Sequence, residues 1–137
     1  MMKNKSEDKQ LMVSWCLYDW ANSCFSAIII TFVFSAYFTQ KIAPSPLLGT
    51  AYWSMAITIS GFIIAVLAPL FGCWLSQTEN KRAALKWLTC CSVVAVSLLF
   101  FSKPNVNWLW YALVFVVIAE ICYELALVVY NSLLLLI

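Results

Sequence analysis

Four stretches of this chain stay apolar long enough for a helix to cross the hydrocarbon core of a bilayer, which takes about 20 residues. They run from about Leu11 to Gln40, Thr50 to Leu75, Leu85 to Ser102 and Trp108 to Ile137. No other feature restricts the fold so strongly. Inside the bilayer there is no water to hydrogen-bond a free N–H or C=O, so each run has to satisfy its backbone internally, as a helix does. The expected fold class is therefore all-α: a polytopic membrane protein with a tail over residues 1–10 and a four-helix transmembrane domain over residues 11–137.

The rest of the composition agrees with a lipid-embedded chain. Hydrophobic residues make up 64% and charged residues only 10%, against roughly a quarter charged in soluble domains, and the mean hydropathy is +0.91. Eight Lys and Arg against six Asp and Glu leave a net charge of +2, too scattered for the clustered basic face that nucleic-acid binding requires. Cys16, Cys24, Cys73, Cys90, Cys91 and Cys122 all lie in apolar runs and read as small, reduced packing residues rather than disulfides. There is no histidine and no C-x-x-C, so no metal-ligand spacing exists. The lysines before the first apolar run resemble the start of a signal peptide. That run is far longer than the 7 to 15 residues of such a peptide's apolar region, and a retained helix is expected.

Short polar breaks join the runs: Pro44, Pro46 and Gly49 in the first, "SQTENKR" in the second and "KPNVN" in the third. Short connections make neighbouring helices antiparallel hairpins. Lys3, Lys5, Lys9, Lys81, Arg82 and Lys86 fall on one side of the membrane and only Lys41 and Lys103 on the other. Six basic residues against two put the N-terminus in the cytoplasm. The localisation expected is integral and multi-pass, in the plasma membrane if the source is bacterial.

Polar residues inside the spans carry the functional reading. Asp19, Asn22 and Ser26 sit at i, i+3 and i+7 on one stripe of the first helix. Asp19 lies about 12 Å along the axis from Leu11 at 1.5 Å per residue. A carboxylate near mid-helix costs on the order of 2.5 to 3.5 kcal/mol on insertion scales, so it faces protein or water. In the fourth helix Glu120 and Glu124 are four residues apart, and Leu127 and Asn131 continue their stripe. Two acids so close in a low dielectric repel, which favours one of them keeping an exchangeable proton. Each set fits a lined substrate or proton pathway; the alternative is that these side chains only pack and hydrogen-bond. In the second helix Ser54, Thr58, Gly61, Ala65, Ala68 and Gly72 form an unbroken stripe of small residues on which another helix can pack closely. Pro69 removes one backbone bond there and bends the helix without stopping it. Trp53, Trp87, Trp108 and Trp110 fall near helix ends, as interfacial anchors do.

"YDWANS", Tyr18 to Ser23, with the apolar residues around it, resembles the opening of the first helix in the vacuole-effluxer-like branch of the major facilitator superfamily. "LAPLFG", Leu67 to Gly72, is similar to the end of that family's second helix, and "ALVVYNSLLL", Ala126 to Leu135, to its fourth. The resemblance spans essentially the whole chain and implies a twelve-helix secondary transporter, amino-acid efflux being the role of the fungal vacuolar members. The superfamily's signature between helices two and three is only partly present: Gly72 fits, while Ser76 stands at the aspartate position and Thr78 and Glu79 where glycine is expected. Leu135 stands where the family places a proline.

The expectation is thus the N-terminal, four-helix portion of a permease for small solutes, with the lipid bilayer, a small-molecule substrate and the remaining transporter helices as partners. Transporters of this kind build their site between repeated three-helix units, and four helices supply one such unit plus one. A complete four-helix, proton-coupled exporter working as a homodimer stays open, as does a membrane fragment without activity. No nucleophile and base, phosphate-cradling loop or cofactor motif marks an enzyme. The charge asymmetry makes a direct prediction. Cysteines placed at Ser45 and Asn105 should react with impermeant thiol reagents from the outside only, and labelling of either from the cytoplasmic face alone would refute the orientation.

Overall fold

The computed structural model describes residues 5–77 and 80–134, and these fall into two compact units, Met1–Tyr37 and Phe38–Ile137. The fold is all-α. Four segments are long and apolar enough to cross a membrane: Met12–Ile42, Pro46–Leu75, Lys81–Leu99 and Val106–Leu133. Thr78, Glu79 and Leu135, where the sequence departs from the superfamily signature, lie outside the described residues.

In the first unit, α1 (Lys5–Phe25) passes into a π-helical segment, Ser26–Phe32, and then into α2 (Val33–Tyr37). The wide turn has a local cause. Ile28, Ile29, Ile30 and Thr31 are four β-branched residues in succession, and such side chains crowd the preceding turn of an α-helix. The Thr31 hydroxyl donates to the Ser26 carbonyl five residues back, at 3.1 Å, and the Val33 N–H bonds Ile28 O at the same spacing. The sequence pattern gave one continuous α-helix here; the structure keeps the helix and changes its hydrogen-bond register.

The second unit opens with another π segment, Phe38–Ile42, closed by Ala43 N–H donating to Phe38 O at 3.0 Å. The following helix, α3 (Pro46–Ser76), starts about four residues before the expected Thr50. Ser45 is extended and its Oγ accepts from Leu48 N–H at 3.3 Å, while Pro46 occupies the first turn, where a missing N–H costs nothing. The helix continues through Pro69. α4 (Lys81–Leu99) likewise begins before the expected Leu85, with no side-chain cap from Asn80. Lys81 and Arg82 then stand at the positive end of a helix dipole, which disfavours cations. α4 stops short of Ser102 because Phe100, Phe101 and Ser102 donate three residues back, to Ser97, Leu98 and Leu99, and tighten the end. A 3₁₀ turn, Val106–Trp108, leads into α5 (Leu109–Leu134).

α5 packs against both α3 and α4. On α4, Ser92, Ala95 and Leu99 are buried; on α5, Ala112, Ala119 and Ala126 are buried at seven-residue intervals, with Val116 and Val129 between and beyond them. Small side chains let the two backbones approach, which is how helices associate where lipid supplies no hydrophobic drive. Two side-chain bonds cross from one helix to the other: Ser92 Oγ to Ala119 O at 3.4 Å and Tyr111 Oη to Leu98 O at 3.0 Å.

The small-residue stripe of α3 has a different fate. Ser54, Thr58, Gly61 and Ala65 are exposed, Ala68 and Gly72 half-buried, and a Cβ built on Gly61 or Gly72 meets no atom within 4 Å. The buried residues of α3 are Gly49, Ala56, Ser60 and Leu75 instead. Within the second unit α5 therefore packs on another face of α3 than the stripe, and the only tight glycine is Gly49. A Cβ there would come within 2.8 Å of Ala43 Cβ and Thr39 Cα. The cysteines also differ from the packing role expected of them: all six are free, but only Cys122 is half-buried and the others are exposed. Trp53 meets Phe38 at a tilt and Trp108 meets Tyr111 edge to face, whereas Trp87 and Trp110 are exposed.

Gly49→Ala should accordingly lower detergent thermal stability by roughly 1–3 kcal/mol, the usual cost of overpacking. Gly61→Ala should be neutral or stabilising by up to about 1 kcal/mol through helix propensity. Equal melting temperatures for Gly49→Ala and the parent would refute the close approach.

Candidate functional site

The acids of α5 are the most demanding side chains in the second unit. Glu120 is half-buried, and its Oε2 is wholly buried with no hydrogen-bond partner among the described residues. Glu124, one turn on, is also half-buried. The spans Pro46–Leu75 and Val106–Leu133 contain no Lys or Arg, so neither of these helices offers a cation.

Helical arithmetic places the acids on a defined line of α5. Leu113 and Val117 precede Glu120 by seven and three residues, and Val117 precedes Glu124 by seven, so all four share one stripe. Leu113 and Val117 also line a groove of about 270 Å³ between α3 and α5, with Tyr52, Ala56 and Ile59 opposite. The Tyr52 and Trp110 rings meet edge to face at 6.2 Å near the starts of both helices, so α3 and α5 run in the same direction. The groove surface is almost wholly apolar. Its continuation along α5 turns acidic at Glu120. Asn131, further along that stripe, is exposed.

In the first unit Asp19 and Ser26 are exposed and Asn22 half-buried. Ser23 Oγ donates to the Asp19 carbonyl at 3.0 Å. Ser26 is the first residue of the π segment and its carbonyl takes the Thr31 hydroxyl. The stripe of Asp19, Asn22 and Ser26 therefore ends where the helix changes register. These three belong to one unit and Glu120, Glu124 and Asn131 to the other.

One polar residue escaped the sequence reading. Ser92 is 8% exposed and donates to the carbonyl of Ala119, the neighbour of Glu120. The signal for it was present in the seven-residue recurrence of Ala112, Ala119 and Ala126, which marks the α4-facing side of α5.

No family model matches the chain, and no solved structure does so significantly. Among curated proteins, the "Uncharacterized MFS-type transporter YxiO" of Bacillus subtilis (strain 168) is 32% identical over 135 residues. The alignment covers 96% of this chain and 30% of that protein, so the chain spans about a third of its relative's length. The similarity to this MFS-type transporter runs along nearly the whole chain, four membrane-length helices included.

Proposed function

We propose that this sequence forms part of a secondary active transporter for small solutes, with Glu120 and Glu124 lining the substrate or proton route. One observation carries the proposal: the buried Oε2 of Glu120 on a membrane-length helix, without a hydrogen-bond partner among the described residues. A carboxylate cannot stay charged and alone in such a place without a cost of several kcal/mol. The charge is met by a proton or by a cationic group arriving with the solute. Asp19, Asn22 and Ser26 form a separate polar stripe on the first span, which is proposed to meet solute in its own right. Amino acids are the proposed solute class, on the resemblance of Tyr18–Ser23 to effluxers of the vacuole type. The N-terminus is proposed to be cytoplasmic, and further helices beyond these four complete the pathway beside the lipid.

Flux in proteoliposomes of the full transporter that carries this sequence tests the reading. Glu120→Gln, Glu124→Gln and Asp19→Asn keep size and hydrogen bonding while deleting the titratable proton. Flux should fall roughly tenfold or more while membrane yield holds. Unchanged rates in all three would return these acids to a packing role. Glu120→Leu adds an independent check. Removing an unpaired buried polar group should raise thermal stability, by about 1–3 kcal/mol, as flux is lost. A lowered melting temperature would mean that Glu120 is paired after all.

A further inference from the structure

The two π segments of the chain are held in different ways. Phe38–Ile42 is clamped: Phe38 and Ile42 are fully buried, Phe38 stacks on Trp53 at 5.5 Å, and Gly49 closes on Thr39. Ser26–Phe32 contains no buried residue. What holds it is local, the four consecutive β-branched side chains from Ile28 to Thr31 and the single hydroxyl bond from Thr31 to Ser26 O. Its flanks are ordinary right-handed helix, Phe25 at φ −60°, ψ −53° and Val33 at φ −81°, ψ −58°. The chain can therefore pass between five-residue and four-residue hydrogen bonding here without opening the helix or leaving a polar group unsatisfied in lipid.

We propose that Ser26–Phe32 is a register switch, latched in its wide form by the Thr31 hydroxyl. It turns the α2 end of the first span relative to the stripe of Asp19, Asn22 and Ser26. Gain or loss of one residue in the ladder rotates everything beyond it by about 100°, one residue at 3.6 per turn. The hydroxyls nearby fit such a movement. Ser35 Oγ bonds Thr31 O at 2.8 Å and Ser23 Oγ bonds Asp19 O at 3.0 Å, both four residues back. α1 and α2 each carry their own α-register bond, whereas the Thr31 hydroxyl reaches five residues back, as the Val33 N–H does. On the transport reading above, the switch presents the polar stripe in alternating settings; the switch itself does not need that reading.

Pulsed electron-electron spin resonance on the full chain in lipid vesicles tests it. The six native cysteines are replaced by alanine and spin labels are placed at Ala21 and Ala36, both exposed. These sites are 15 residues apart, about 22 Å at 1.5 Å per residue. The parent should show two distance populations, one for each register. Thr31→Ala combined with Ile28→Leu, Ile29→Leu and Ile30→Leu removes the latch and the crowding, and should leave only the four-residue population. Thr31→Ser, which keeps the hydroxyl, should retain both. A single population in the parent, or the same two populations in the combined variant, would overturn the proposal. Flux is read separately: two populations in a transporter whose flux ignores the acid substitutions would leave the switch standing and remove the transport reading.

Discussion

Everything in this chain follows from the absence of water around its backbone. In hydrocarbon an unmet N–H or C=O has no second choice of partner, so the ladder must be continuous through each span. The side chains obey the same rule. The hydroxyls of Ser23, Ser35, Thr50, Thr58 and Ser97 each donate to the carbonyl four residues back, at 2.8 to 3.0 Å. Polar residues spread along membrane helices are thus mostly settled within their own helix. Where the helix deviates, it does so by changing ladder register, as at Ser26–Phe32, and not by breaking.

With backbone and hydroxyls satisfied locally, little remains to hold one helix to another. Lipid tails are as apolar as leucine, so packing and a few cross-helix bonds decide association. The α4 and α5 pair shows both. Alanines at 112, 119 and 126 bring the backbones close, and Ser92 and Tyr111 tie each helix to the other's chain. α5 touches α3 and α4 and so carries the core of its unit. It also carries Glu120 and Glu124, so the acids stand on the element whose position is best fixed, which is where a site needing a set geometry belongs.

The four spans were legible because length and composition alone decide them. The polar stripes are a matter of 3.6-residue periodicity, and the first of them ends at Ser26, where the helix changes register. The helix starts were misjudged by about four residues at α3 and α4, because hydropathy is blind to the cap made by Ser45 and Pro46 and to a helix that begins on Lys81. The choice of packing face was less accessible. Small residues mark where a helix can approach: within the second unit α3 is buried at Gly49, Ala56, Ser60 and Leu75, and its longer small-residue stripe lies on another face. The π segment had a readable cause in the β-branched run at Ile28–Thr31. Nothing in hydropathy distinguishes that run from any other apolar stretch.

The two sets of acids make different physical demands, and this bears on how a route could use them. Asp19 is open in its own unit, and its carboxylate can be met by any polar surface or water that reaches that face. Glu120 has one oxygen already enclosed, on a helix without basic residues; of the two helices packed on α5, α3 has none within its span and α4 carries Lys81, Arg82 and Lys86 in its first two turns. Removing its charge therefore takes something small enough to enter, a proton before all else, whereas Asp19 can be served by a larger group. On the transport function proposed above, Glu120 would answer to protons and Asp19 to solute. Separating the flux effects of Glu120→Gln and Asp19→Asn, the first in its dependence on the proton gradient and the second in its dependence on solute concentration, distinguishes this division of labour from two acids doing the same thing.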